Sequence, residues 1–195
     1  MRLALVTTLA CVLVAIAVGG GATAAAGPPR PTVLDVGDSL SVGPDPYLRK
    51  RLRGYRIQRL YDVGMHANDA ARVVSLVRGS LPRVLVVSAG TNDDPRIVSA
   101  FSRAVGDILR AAGLERCVVW PTIARPPAAG ATYDALNRAL TRAAARHANL
   151  VLVDWLGMVR QHPEWLAKDG VHVTVAGYRA RAAAIAAAVT TRCSS

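Results

Sequence analysis

From Thr32 onward the chain alternates short β-branched apolar runs with longer Ala-, Leu- and Arg-rich stretches of helical period. The runs predict strands over Thr32–Val36, Arg56–Tyr61, Arg83–Ser88, Arg116–Trp120 and Leu150–Val153. Each is compact and apolar enough to be covered on both faces, as strands of parallel sheets are. The intervening stretches predict helices over Asp69–Val77, Pro95–Ala112, Thr132–His147 and Thr174–Thr191, with shorter ones over Pro46–Leu52 and Pro163–Leu166.

Five strands joined by crossovers of this length fit a three-layer, flavodoxin-like α/β sandwich with a five-stranded parallel sheet. Ligands of such sheets bind beyond the carboxyl ends of the strands, so chemistry is expected where each strand stops. Neither internal repeats nor coiled-coil heptads interrupt the pattern, and residues 32–195 are expected to form one domain.

The first thirty residues follow another pattern. Arg2 precedes an uncharged apolar stretch from Leu3 to Val18, and small residues then lead to Ala24-Ala25-Ala26. The stretch is short for a membrane span and ends as a signal peptidase site does. Residues 1–26 are expected to be a signal peptide cut after Ala26, with an uncleaved anchor as the alternative, and residues 27–31 a Pro/Gly-rich linker. Cys11 lies inside the apolar stretch and not at its end, which argues against lipoprotein processing. The expected location is secreted or cell-envelope associated.

The chain is basic, with 24 Lys and Arg against 13 Asp and Glu and a net charge of +11, or +10 once Arg2 is removed with the leader. Lys50 and Lys168 are the only lysines, and the arginines scatter among alanines instead of forming a run. Such scatter argues against nucleic-acid binding. The charge would still draw an exported protein toward anionic envelope polymers or lipid head groups, in a salt-dependent way. Outside the leader only Cys117 and Cys193 remain; they form either a disulfide, which export would permit, or one buried and one exposed thiol.

Candidate chemistry sits at the expected strand ends. The first strand runs into Gly37-Asp38-Ser39-Leu40, which puts a hydroxyl at the sheet edge where a helix begins. Ser39 is either a nucleophile or, like Asp38, a helix cap. A serine attacks only if a base takes its proton, and Asp169-Gly170-Val171-His172 offers one. Three-residue spacing lets the carboxylate hold one imidazole nitrogen while the other faces the serine; the bland reading is a plain Asp-Gly turn. Tyr61-Asp62-Val63-Gly64 and Gly90-Thr91-Asn92-Asp93 follow the second and third strands and could supply donors to an oxyanion, or simply turn the chain.

Taken together, the four segments resemble in order and position the four blocks of the SGNH (GDSL-like) hydrolase family, over essentially the whole chain past the leader. The resemblance implies the SGNH fold, with Ser39 as nucleophile, His172 as general base, Asp169 as its orienting carboxylate, and Ser39, Gly64 and Asn92 as oxyanion donors. The second block is loose: Gly64 or Ala67 can occupy its donor position. The absence of G-x-S-x-G separates the chain from α/β-hydrolases. His66, His147, His162 and His172 lack metal-site spacing, so neither metal nor cofactor is expected. His66 either lines the pocket or faces solvent.

Val153-Asp154-Trp155 and His162-Pro163-Glu164-Trp165-Leu166 are similar to the extracellular SGNH domains of acyltransferase-3-type proteins, which implies short acyl groups on carbohydrate. Trp120, Trp155 and Trp165 could stack on sugars if exposed, or pack. The function implied is a secreted serine esterase acting on a small ester or acylated glycan as a monomer. The alternatives are O-acyl transfer to cell-envelope glycans and a non-catalytic binding module.

Overall fold

A computed structural model describes residues 29–193; the leader over 1–26 and the first two residues of the linker lie outside the described residues. Five strands form one sheet: β1 (Thr32–Gly37), β2 (Arg56–Tyr61), β3 (Val84–Ser88), β4 (Cys117–Pro121) and β5 (Leu150–Val153). All neighbours are parallel, in the order β2-β1-β3-β4-β5. This is the doubly wound flavodoxin-like order, whose strand order reverses between β1 and β3.

Alternation along the strands assigns the two faces. Leu34, Val36, Leu85, Val87, Val118 and Trp120 point to one side. There they meet α3 (Ala67–Leu76), α4 (Val98–Ala112) and α5 (Asp134–Ala144) through residues such as Val74, Phe101, Ile108, Leu136 and Leu140. Val33, Val84, Val86, Val119, Val151 and Val153 point to the other. That face is closed by Leu48 and Leu52 of α2 (Asp45–Arg51) and by Ala182, Ile185, Ala186 and Val189 of α7 (Val175–Arg192). Asp35, between Val33 and Val36, therefore faces α2 and α7, and its carboxyl is fully buried there.

Short α1 (Ser39–Val42) and α6 (Trp155–Gln161) complete the α-helices of the described residues, and single 3-10 turns stand at Arg78–Ser80 and, where the sequence predicts a short helix, Pro163–Trp165. A Cβ at Gly43, between α1 and α2, would lie 2.1 Å from the ring of Tyr178, so glycine there lets α7 press against the joint. Helix α6 is a finding the sequence pattern does not announce. It is only seven residues long with Gly157 inside it, and the Asp154 side chain caps it by accepting the Gly157 N–H at 3.0 Å.

Boundaries move for local reasons. Helix α3 starts two residues before Asp69, whose side chain accepts the backbone N–H of His66 at 3.3 Å and so closes the first turn. Helix α4 starts at Val98 and not Pro95, because Asp94 accepts the Arg96 N–H at 2.9 Å and holds residues 94–97 in a turn.

The cysteine alternatives resolve to a disulfide. Cys117 at the start of β4 bonds Cys193 just past α7, with Cα atoms 5.5 Å apart and 76 residues between them in sequence. A loop of that length limits the unfolded chain by an amount equivalent to about 4 kcal/mol. Replacing both cysteines with serine should lower the thermal midpoint by roughly 10 °C in a non-reducing melt. A fall of under about 3 °C would mean the bridge adds nothing to the packing around it.

Candidate active site

The carboxyl ends of β1, β2 and β3, with the loop before α7, converge on one edge of the sheet. At the end of β1 the chain passes so close to β3 that a Cβ on Gly37 would lie 2.8 Å from the Ser88 carbonyl oxygen. Asp38 donates its N–H to that same carbonyl at 3.1 Å. The Asp38 side chain then accepts the Leu40 N–H at 2.8 Å, making Asp38 the N-cap of α1, an interaction worth about 1 kcal/mol. With capping assigned to Asp38, Ser39 stands at the first helical position with its hydroxyl free to point outward. Ser39 Oγ lies 3.0 Å from His172 Nε2.

His172 is held from behind. Its Nδ1 lies 2.7 Å from Asp169 Oδ2, while Asp169 Oδ1 accepts the N–H groups of Val171 and His172, both at 2.9 Å. Gly170, at φ 66°, makes the tight turn that these bonds require. The hydrogen bond from the His172 side chain, then that from the Val171 backbone, pulls the Asp169 pKa down to about 2. The carboxylate therefore stays ionised through the whole neutral and mildly acidic range. Both side chains remain open to water, His172 at 47% and Asp169 at 50% exposure.

On the other side of Ser39 the loops after β2 and β3 are tied together. Asn92 Nδ2 donates to the Met65 carbonyl at 3.2 Å and to Asp38 Oδ2 at 3.3 Å. Asp93 accepts the Ala67 N–H at 2.9 Å, so that N–H is committed. The N–H groups of Ser39 and Gly64 make no hydrogen bond among the described residues. Gly64 sits at the rim with φ 83°. His66 is half exposed and 4.0 Å from Asp93, on the outer side of this loop. Tyr133 donates its hydroxyl to the Asp93 carbonyl, and Arg125 donates to that of Thr91.

Beneath Ser39 lies a polar cluster that motif reading misses. Arg181 of α7 is 3% exposed, donates from Nη2 to Ser88 Oγ at 2.7 Å, and stacks its guanidinium 5.2 Å from the Trp155 ring centre. Its Nε and Nη1 are buried without a partner among the described residues. Burial pulls its pKa down to about 10, which leaves it charged at neutral pH. Asp35 accepts hydroxyl hydrogens from Tyr61 at 2.7 Å and Ser41 at 3.3 Å. Burial nevertheless pushes its pKa up to about 7, against the pull of those bonds and of Arg181. Burial also raises Asp38, again opposed by Arg181. One signal was readable: Asp35 interrupts an otherwise apolar strand. Arg181 in its alanine-rich helix gave none.

Of the tryptophans, Trp120 and Trp155 are buried. Trp165 stacks on Trp155 at 6.0 Å and on His162 at 4.1 Å.

The model of the GDSL-like lipase/acylhydrolase family matches residues 35–180. Among solved structures, the chain is similar to the C-terminal catalytic domain of Streptococcus pneumoniae peptidoglycan O-acetyltransferase A. The TM-score is 0.68 at 22% identity, covering 84% of this chain and 94% of that one. It is similar too to a lipolytic protein of the G-D-S-L family from Veillonella parvula (TM-score 0.66, 16% identity, 82% and 97% covered). A family 3 carbohydrate esterase from Clostridium thermocellum also matches (TM-score 0.62, 16% identity, 79% and 92% covered). These likenesses establish the fold. No curated protein matches the sequence.

Arg181→Met would leave Asp35 and Asp38 buried without their cation. It should destabilise the protein by about 3 kcal/mol at pH 8. The raised carboxyls take up protons in the fold more readily than in the unfolded chain, so the contribution of Asp35 to stability falls as pH climbs from about 4 through its folded value near 7, and Asp38 acts in the same direction. The loss should therefore shrink toward pH 5. Chemical unfolding at both pH values checks this; an equal loss at each would show that packing and not charge holds Arg181.

Proposed function

The chain belongs to the GDSL-like lipase/acylhydrolase family, and from that premise we propose that it is an exported serine esterase that removes short acyl groups from carbohydrate through an acyl-enzyme on Ser39. The observation that carries this reading is the hydrogen-bonded line from Ser39 Oγ through His172 to Asp169. As His172 Nε2 takes the proton, Oγ bonds the ester carbonyl carbon and the carbonyl oxygen becomes an oxyanion. Asp169, ionised, keeps Nδ1–H pointing at itself and stabilises the imidazolium. The oxyanion collapses, the C–O bond to the alcohol breaks, and His172 returns the proton to the leaving oxygen. Water then repeats the sequence against the acyl-enzyme, releasing the acid and free Ser39.

For the oxyanion, the free N–H groups of Ser39 and Gly64 are the donors we assign, with the Asn92 amide as the third. Ala67 is set aside because Asp93 holds its N–H. Asn92's bonds to Met65 and Asp38 are long, and a full negative charge is a stronger acceptor than the Met65 carbonyl.

The exposure of His172 and Asp169 favours a bulky substrate that lies across an open site over a lipid chain enclosed in a tunnel. The fold shared with a carbohydrate esterase supports the same choice. A disulfide between Cys117 and Cys193 supports maturation in an oxidising compartment, in line with a cleaved leader and a secreted or envelope-associated enzyme. A second reading is favoured by the likeness to a peptidoglycan O-acetyltransferase domain: a glycan hydroxyl replaces water as acyl acceptor. Added oligosaccharide that diverts acyl groups from water would favour it.

A fluorescent fluorophosphonate should label the wild type and neither Ser39→Ala nor His172→Ala. With a short acyl ester each variant should lose at least about 10⁴-fold in kcat. No labelling of folded wild type would overturn the assignment of Ser39.

The pH dependence has a fixed sign. Only neutral His172 accepts the serine proton, so kcat/KM should fall as pH drops, along a limb of one-proton slope. Asp169, held to about 2, adds no second limb above about pH 3. A rate flat from acid to neutral pH, measured on the same ester, would remove His172 as the base.

A further inference from the structure

Cations that lie scattered in the sequence are brought together on the α2–α7 face. A groove of about 690 Å³ runs between these helices, lined by Pro46, Tyr47, Lys50, Arg51, Arg53 and Arg179. All four cations are exposed, and none forms an ion pair among the described residues. The contrast is local: Arg49 of the same helix and Arg59 of β2 both bind Asp45.

The groove is connected to the candidate site through the joint between α1 and α2. Ser39 begins α1, Gly43 joins α1 to α2, and Tyr178 of α7 packs on Gly43. Arg179 is the next residue, about 6 Å along α7 from its first turn, and that turn follows directly from His172. A chain leaving the site over this joint would meet Arg179 first, then Lys50, Arg51 and Arg53.

We propose that this groove is a subsite for an anionic polysaccharide, holding the non-reacting part of the chain whose ester is presented to Ser39. The proposal rests on the reading of the substrate as an acylated glycan. Shape and chemistry select the occupant. A concave channel admits a chain where a membrane presents a plane, and no large exposed apolar residue lines it for insertion. Tyr47, its one aromatic, carries Arg179 over one face of its ring at 5.5 Å, which leaves no row of stacking platforms for successive nucleobases. Several exposed cations lining one groove match the repeated carboxylate or phosphate groups of a sugar polymer.

The test uses polygalacturonate as probe, with neutral dextran, phosphatidylglycerol vesicles and poly(U) as comparisons. The variant carries Lys50→Gln, Arg51→Gln and Arg179→Gln. A control with equal charge loss carries Arg78→Gln, Arg103→Gln and Arg138→Gln, all exposed and outside ion pairs. At low salt the wild type and the control should bind polygalacturonate alike, and the groove variant should bind roughly tenfold or more weakly. On acetylated polygalacturonate the groove variant should raise KM by a similar factor at constant kcat, with turnover of p-nitrophenyl acetate unchanged. Equal weakening in the control would assign binding to net charge and overturn the subsite. So would wild-type binding to vesicles or poly(U) that is tighter than to polygalacturonate and lost in the groove variant. If the wild type turns over neither ester, the esterase reading fails, while the direct binding comparison still decides the groove.

Discussion

A single buried cation sets the conditions for everything at the sheet edge. Arg181 is almost wholly withdrawn from water, and the helix that carries it brings it under the one place where β1 and β3 both end in polar groups. Desolvation makes each of Arg181, Asp35 and Asp38 costly by itself. The cation offsets what burial does to the two carboxyls, and their charge offsets what burial does to the guanidinium. Asp38 in turn caps α1, grips β3 and holds the Asn92 amide. Ser39 thus follows directly on a residue that is held from one layer below.

The two flanks of Ser39 are built differently. On the oxyanion side three loops are cross-tied by Asn92, by the bond between Asp93 and Ala67, and by Arg125 and Tyr133 from outside. Cross-ties of this kind hold the backbone donors proposed for the oxyanion in place, and donors stabilise a developing charge best when they need not move. The histidine flank is lighter. Its turn is fixed by Asp169 and Gly170, by the Ala167 N–H on the His172 carbonyl at 2.8 Å, and by pairing of Leu166 with Val173. It projects into water on a framework of its own short bonds.

Much of this was legible from residue order because the chemistry demands short, local patterns. Four of the five strands read clearly because apolar residues fill both faces, and three of the four site segments are turns beginning where a strand stops, while Asp169–His172 turns the chain into α7. The parallel sheet and its layers match the reading, the strands to within one residue at each end, while α4 starts and α5 ends three residues inside the expected bounds. What escaped was decided by contacts between distant parts. Helix ends shifted where Asp69 and Asp94 bonded backbone, α6 was hidden by Gly157, and the cysteine pair needed a Cα distance that no spacing supplies. Arg181 looked like one more arginine in a basic, alanine-rich helix until the fold placed it against Ser88.

Helix α7 gathers dependencies that have an order in time. Ser39 and His172 are separated by 133 residues, and a chain made from its N-terminus completes β1 long before it reaches the histidine. Arg181 and Cys193 come later still, on the same helix and just past it. A growing chain can therefore pair its sheet from β2 to β5 while the serine has no base, no cation beneath it and no covalent closure. On the role proposed for Ser39, its base, its buried cation and its covalent closure all come from the last segments made, so the serine is without them through nearly all of the chain's synthesis.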